Sequence, residues 1–294
     1  MICIGENLNV IKTEIGKAFK DRNPEPIQKM AQEEKAAGVD YIDINLGPAR
    51  KGGPELMAWV VQTVQEVVDD VPLALDTSNI EAIEAGLEAY KGDTVPLVNS
   101  IMARPERYTV MIPIAAKHQA DVVALLWGPE GLPRDENERA ALAVELCYAC
   151  NEGGLANEKL FVDPIITPVN IQQQQLMSTL TFMEMLQDIA PGAKSTNGLS
   201  NISNGTPWRE PLNQAYMIML ERAGMYSSIV DYEDSLIIDI AKGKRPDLVE
   251  VVHKVQDGEI DSPDQVEGDE AKTMVRASRV ILGHALYSDS WMNM

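Results

Sequence analysis

Histidine and cysteine are both scarce here, with three of each among 294 residues. The histidines are His118, His253 and His284, and none ends a predicted strand. A histidine-based metal centre and a hydrolytic triad are therefore not expected. No metal ligand is assigned, and a divalent site built from carboxylates alone is the lesser alternative. The odd cysteine count provides no disulfide framework. Cys147-Tyr-Ala-Cys150 has the spacing of a redox pair, but it falls in the middle of a helical pattern. Redox pairs sit at a helix N-terminus, where the dipole lowers the thiol pKa, so these two are expected to be small apolar helix residues.

Basic charge is also short: 25 Lys and Arg against 45 Asp and Glu, for a net charge of −20. This excludes nucleic acid as a partner, which needs a basic face, and disfavours an anionic membrane surface. No apolar run approaches the ~20 residues that span a bilayer. The start of the chain, Met1-Ile2-Cys3-Ile4-Gly5, lacks the basic and long apolar regions of a secretory signal, so a cytoplasmic location is expected. Neither G-x-G-x-x-G nor the phosphate-loop pattern occurs. With no histidine at a strand end and no activated Ser or Cys, any chemistry must use carboxylates, amides and a borrowed reactive group.

What is present is a regular alternation. Short apolar or β-branched runs (Ile2–Ile4, Tyr41–Leu46, Leu73–Leu75, Val95–Val98, Val122–Leu126, Leu160–Val162, Lys194–Leu199 and Ser228–Val230) predict strands. Helical patterns lie between them over Pro26–Ala37, Pro54–Val68, Ile80–Tyr90, Glu106–His118, Glu136–Asn151, Gln172–Ile189 and Asn213–Ala223. Repeated βα units imply a parallel sheet with helices outside it, and this number in this length predicts a closed (β/α)₈ TIM barrel. A doubly wound open sheet fits less well without a Gly-rich nucleotide turn. The expected organisation is one domain over residues 1–294, with an acidic excursion at 242–270 and a closing helix over Ala271–Tyr287.

In such barrels function collects where strands end and helices begin. Here those points read Gly5-Glu-Asn-Leu-Asn9, Asp43-Ile-Asn-Leu-Gly-Pro48, Asp76-Thr-Ser-Asn79, Asn99-Ser-Ile101, Asp163-Pro164, Gly198-Leu-Ser-Asn-Ile-Ser-Asn204 and Asp231-Tyr-Glu-Asp234. Helix capping explains some of them; Asn79 is placed to cap the Ile80 helix. Asp76 comes three residues too early for that. An acid or amide at nearly every strand tip makes a ring of donors and acceptors, which suits a small polar heteroaromatic ligand.

These motifs, in this order, resemble the pterin-binding methyltransferases that act on methyltetrahydrofolate and a corrinoid protein. That family includes the methyltransferase of the acetyl-CoA pathway and the methylcobalamin:tetrahydrofolate methyltransferases of bacterial demethylation systems. The resemblance runs from about Met1 to Asp234 and returns in Tyr287-Ser-Asp-Ser290. It implies a TIM barrel, a homodimer, a tetrahydrofolate or methyltetrahydrofolate substrate in the barrel mouth, and cobalamin supplied by a partner corrinoid protein. Carried over by position, Asp76, Asn99 and Asp163 bind the pterin, with Gly198, Ser200 and Asn204 beside it, and Asn201 is the catalytic asparagine near N5. Glu6, Asn7, Asp43 and Asn45 complete the expected pocket. Asn204 departs from the pattern, standing where the acetogenic enzymes are expected to carry glutamine, and residues 242–270 are longer than in compact relatives.

The chemistry fits those implied roles. The pterin presents N3–H and its 2-amino group as parallel donors, which one carboxylate, Asp163 or Asp76, accepts together. Asparagine both donates and accepts, which suits Asn99 to the mixed edge. Methyl displacement by cobalt(I) needs a better leaving group than a free tertiary amine, hence a protonated or strongly hydrogen-bonded N5. Asn201 has no proton to lose near neutral pH; its carbonyl stabilises N5–H⁺, the proton coming from solvent or a bound water. Microscopic reversibility leaves the direction open. The competing readings are a dihydropteroate synthase-like enzyme, against which Asn45-Leu-Gly-Pro-Ala-Arg-Lys-Gly-Gly stands, and a non-catalytic pterin or corrinoid-docking module.

Overall fold

The computed structural model describes residues 1–293. Its strands are β1 Ile2–Gly5, β2 Tyr41–Asn45, β3 Leu73–Asp76, β4 Leu97–Met102, β5 Asp121–Leu125, β6 Leu160–Asp163, β7 Lys194–Ser195 and β8 Ser227–Val230. They form one eight-stranded sheet in the order β7-β6-β5-β4-β3-β2-β1-β8, with every pair parallel. The two ends of this order meet: the Ile229 amide donates to the Asn197 carbonyl at 2.7 Å, and Gly198 bridges Ile229. The sheet is thus a nearly closed TIM barrel, as the strand spacing predicts.

Around it run α1 Thr13–Asp21, α2 Pro24–Ala37, α3 Gly53–Gln65, α4 Ile80–Ala89, α5 Pro105–Lys117, α6 Glu136–Glu152, α7 Val169–Gln172, α8 Gln174–Ile189, α9 Arg209–Arg222, α10 Ser235–Ala241, α11 Pro246–Gln256 and α12 Asp269–Ile281. None among the described residues is long and apolar enough to cross a membrane. Asn79 caps α4 as expected, accepting from the Ala82 amide at 3.1 Å. Cys147 and Cys150 are buried within α6, and burial pushes their thiols up to about 11 and about 12. That is the environment of packing residues, not of a redox pair.

Side chains alternate across a strand, and this sorts the barrel into an outside and an inside. Ile42, Ile44, Leu73, Leu75, Val98, Val122, Leu160 and Val162 belong to the main core shared with the helices. Ile4, Ala74, Leu97, Val123 and Phe161 form a separate cluster with Tyr41 and Ile229, which fills the barrel lumen. Lys194 closes its lower end, with Nζ 4.7 Å from the Phe161 ring centre and 3.1 Å from Asp121. Two residues further along each strand, the inward positions above this plug are Glu6, Asp43, Asp76, Asn99, Asp163 and Asp231. The floor is apolar and the mouth is acidic because the same period of two carries both sets.

Departures from the expected elements are local. α1 is a short amphipathic helix with no counterpart among the helices that the sequence pattern predicts. β4 starts later and runs longer than expected, with a register shift against β5 between Val98 and Ile101. β7 ends at Ser195, and residues 196–198 reach β8 through side chains and single bridges: Asn197 Nδ2 donates to Ser228 Oγ at 2.9 Å. Residues 199–203 then form a 3₁₀ turn. The 242–270 segment carries α11, which packs on α12, and its Val255 and Ile260 form a small core with Val275 of that closing helix.

Candidate active site at the barrel mouth

Two hydrogen-bonded pairs line one wall. Asn45 donates through Nδ2 to Asp76 Oδ2, and Asn99 Nδ2 donates to Asp43 Oδ1 at 3.1 Å. The β4 irregularity falls at Asn99–Ser100, and such a bulge re-aims side chains at a barrel rim. Across the lumen, Asp163 is 8 % exposed and accepts from the Ile165 amide at 2.8 Å. Buried Arg139 of α6 braces the following turn, its Nε donating to the Pro164 carbonyl at 2.9 Å.

Burial is the dominant electrostatic fact. It raises Asp76 and Asp163 to about 7, the latter against the Ile165 amide and the charge of Arg139. Asp43 is pushed well above the usual carboxylate range by burial and then by the negative charge of Asp76, against the Asn99 amide. Both carboxyls, Asp43 and Asp76, therefore hold their protons more tightly than exposed ones do, which gives this wall donors as well as acceptors. The ligand-free protein stores a pH dependence here. Asp76 and Asp163 titrate near 3.8 when unfolded and near 7 when folded. Between those values the folded state holds more protons, so the stability due to these groups is full at low pH and is lost as pH rises through 7. Urea melts of the ligand-free protein are expected to show a decline from pH 5 to pH 8 of roughly 5 kcal/mol, at about 1.4 kcal/mol per pH unit for each of the two groups up to pH 7, and about half that in Asp76→Asn.

The opposite lip joins the loops after β1 and β7. Ser200 Oγ donates to Glu6 Oε1 at 2.5 Å, and burial raises the Glu6 carboxyl. Asn7 is fully buried, donating through Nδ2 to Asp231 Oδ1 at 2.6 Å and accepting from the Tyr232 amide at 3.2 Å. It therefore acts as a strut between β1 and β8. Beneath it lies Glu34 of α2, fully buried, accepting from the Asn7 amide at 2.8 Å and raised to about 8 by burial. A Cβ on Gly5 would lie 2.9 Å from the Glu34 carboxyl carbon, so the close approach requires glycine there.

Asn201 sits exposed on the 3₁₀ turn, with its side chain folded back across Gly198. A Cβ at 198 would come within 2.9 Å of Asn201 Nδ2. Gly198→Ala is expected to displace that amide and lower activity about tenfold or more with little change in melting temperature, read by turnover beside a thermal melt. Asn204 is exposed at the end of the same turn, its amide donating to the Asn201 carbonyl at 3.2 Å.

The fold thus brings Asp43, Asn45, Asp76 and Asn99 together on one wall and links Glu6 to Ser200 on the opposite lip. Asp163 stands on β6 and Asn204 on the rim. No strand-end motif points to Glu34. Glu34 lies in a charged run, Glu33-Glu34-Lys35, but its spacing from Ile27 and Ala31 puts it on the buried face of α2. That spacing is the one sequence signal that marks it.

Acids and amides thus stand at the C-terminal ends of the strands of a parallel (β/α)₈ barrel. The chain belongs to the pterin binding enzyme family, whose model matches residues 5–231. The methylcorrinoid:tetrahydrofolate methyltransferase of Eubacterium limosum is 28% identical over 233 residues, covering 79% of this chain and 85% of that one. The methionine synthase of Mycobacterium leprae is 25% identical over 270 residues, covering 86% of this chain but only 22% of that protein. Among solved structures, dihydropteroate synthase from Xanthomonas albilineans in complex with 7,8-dihydropteroate superposes with a TM-score of 0.61 at 17% identity, covering 83% of this chain and 93% of that one. That likeness is one of fold.

Proposed function

We propose that this protein is a methyltransferase that moves a methyl group between N5 of tetrahydrofolate and the cobalt of a corrinoid carried by a partner protein, in either direction. The observation that carries the proposal is the mouth itself. An exposed amide, Asn201, lies over Gly198, where the absent side chain leaves it room, at the lip of a lumen lined by buried Asp43 and Asp163 and partly buried Asp76. The Eubacterium limosum relative, named for methyl transfer between a methylcorrinoid and tetrahydrofolate, supports the choice of reaction.

In this reading Asp163 accepts the N3–H and 2-amino donors of the pterin together, a charge-assisted double hydrogen bond in a dry site. The wall of Asp43, Asp76, Asn45 and Asn99 meets the mixed edge of the ring. Asn201 turns its carbonyl toward N5, an interaction absent while N5 is unprotonated in the bound ground state and made as N5 takes up a proton from solvent on the way to the transition state. Glu6 and Ser200 hold the Asn201 turn in place. Cobalt(I), supplied as a co-substrate, is the nucleophile in one direction and the leaving group in the other. We place the protein in the cytoplasm as a homodimer, a single barrel domain over 1–294 serving one-carbon metabolism or a demethylation system.

Titration calorimetry with methyltetrahydrofolate tests the pocket. Saturable binding of one folate per chain is expected, weakened by Asp163→Asn. Binding of an aminobenzoate with a pterin diphosphate, and none of methyltetrahydrofolate, would contradict the assignment.

A further inference from the structure

The turn that follows Asp163 is one the chain does not favour by itself. Pro164 comes next, and its ring confines the preceding residue to extended backbone, which keeps Asp163 on the line of β6. Ile165 then turns the chain with φ +63°. That is the left-handed region, which a β-branched side chain disfavours because its Cβ crowds the backbone. The Ile165 amide donates to Asp163 Oδ1 at 2.8 Å, so the same conformation fixes the carboxyl.

One buried guanidinium supports this turn from the helix side. Arg139 of α6 donates through Nε to the Pro164 carbonyl at 2.9 Å and through Nη1 to Ser178 Oγ of α8 at 2.9 Å, and its Nη2 reaches the Ile165 carbonyl at 3.5 Å. None of these three acceptors is a carboxylate; Ser178 passes the chain on to Glu136 Oε2 at 2.9 Å. A buried cation without a direct ion partner is costly, and a neutral donor would serve two carbonyls and a hydroxyl. Asp163 accounts for the charge. Burial and then the Ile165 amide act on that carboxyl, and the charge of Arg139 works with the amide to favour its ionised form. The other groups facing Arg139 are Asp135 and Glu136 at the start of its own helix and Tyr216 of α9, whose hydroxyl is tied to the Leu176 carbonyl at 2.9 Å. Across the lumen, Asp43 and Asp76 are bonded to Asn99 and Asn45, and Lys194 of β7 is held by Asp121 at 3.1 Å.

We propose that Arg139 is a positioning residue of the folate site, holding the Pro164–Ile165 turn that aims Asp163 into the lumen and standing a positive charge behind its carboxylate. This rests on the reading of Asp163 as the acceptor of the pterin's paired donors. Arg139 acts through the turn and through Asp163, not by touching the ligand. Without it the Ile165 conformation loses its support and the carboxyl keeps its proton to higher pH, and both weaken the charge-assisted double hydrogen bond.

The test includes a readout that needs no folate. The protein is labelled with ¹³C at its aspartate carboxyls, and the Asp163 resonance, assigned by its loss in Asp163→Asn, is titrated without ligand in wild type, Arg139→Gln and Arg139→Lys. The midpoint is expected to rise by about one pH unit in Arg139→Gln and to stay near the wild-type value in Arg139→Lys, which keeps the charge. Calorimetry with methyltetrahydrofolate at pH 8 should show binding weakened tenfold or more in Arg139→Gln. Arg139→Lys should lose about threefold or more, because a compact ammonium does not reproduce the planar fork. Thermal melts identify the variants that fold. A residue that only stabilises the fold would lower the melting temperature and leave the midpoint in place, so an unmoved midpoint in folded Arg139→Gln overturns the proposal. If Arg139→Gln does not fold, Arg139→Lys decides, and wild-type folate affinity in that variant overturns it. If wild type binds no methyltetrahydrofolate, the functional reading fails, and the resonance titration still decides whether Arg139 governs Asp163.

Discussion

Replacing Asn201 by alanine is expected to slow methyl transfer roughly 10- to 1000-fold while methyltetrahydrofolate binding changes by no more than about threefold. The asymmetry follows from where the side chain stands. Asn201 belongs to the lip and not to the buried wall, so it adds little to holding the pterin ring in the ground state. Its carbonyl matters when N5 carries a proton and the methyl carbon is departing. A group that acts there lowers the barrier without tightening substrate binding, and its loss appears in kcat. Asn201→Asp, which keeps the acceptor and adds charge, should retain more activity than the alanine variant. Stopped-flow turnover beside equilibrium folate binding separates the two effects. A parallel loss of both would make Asn201 a binding residue.

Asp163→Asn carries the second large effect, and it falls on binding. The asparagine keeps the shape of the side chain and an acceptor for the Ile165 amide. It also turns an NH₂ toward a ligand edge that already presents two donors. Removing the charge from a buried double hydrogen bond is expected to weaken folate binding about 30- to 1000-fold. The pH dependence supplies the sign. Burial holds the Asp163 carboxyl at about 7, so at pH 5.5 most of it is protonated and at pH 8 most is ionised. If the ionised form binds the pterin, wild-type affinity rises as pH passes 7, and Asp163→Asn loses that component. Calorimetry at the two pH values reads both, and affinity falling with rising pH would reverse the assignment.

Much of this site is legible in the amino-acid sequence. The acids and amides at the strand tips stand out as motifs, and strand alternation fixes which of them face the lumen. Asp43 flanked by Ile42 and Ile44, and Asp163 after Phe161 and Val162, show the rule at work. Less legible is what depends on the third dimension. Asn7 reads as a pocket amide, but β8 passes close enough for Asp231 and Tyr232 to engage its side chain. Glu34 reads as a solvated charge because its neighbour Glu33 is one. Only its place on the inner face of α2, against Gly5, shows otherwise. β7 reads as a continuous strand, but beyond Ser195 the pairing passes to Asn197 and Gly198, whose side-chain bond and single bridge no hydrophobic pattern encodes. The acidic stretch after β8 reads as an excursion from the barrel. Of its apolar residues, Leu248 and Val252 join the main core, and Val255 and Ile260 meet Val275 only once α11 and α12 pack together.

The central claim is tested most directly by spectrophotometry without oxygen. The protein is mixed with methyltetrahydrofolate and cob(I)alamin, and separately with tetrahydrofolate and methylcob(III)alamin, each repeated with a corrinoid protein in place of the free cofactor. The account predicts interconversion of the cobalt spectra in both directions, saturable in folate and slowed in Asn201→Ala. No conversion with either form of corrinoid, together with no binding of methyltetrahydrofolate, would contradict it.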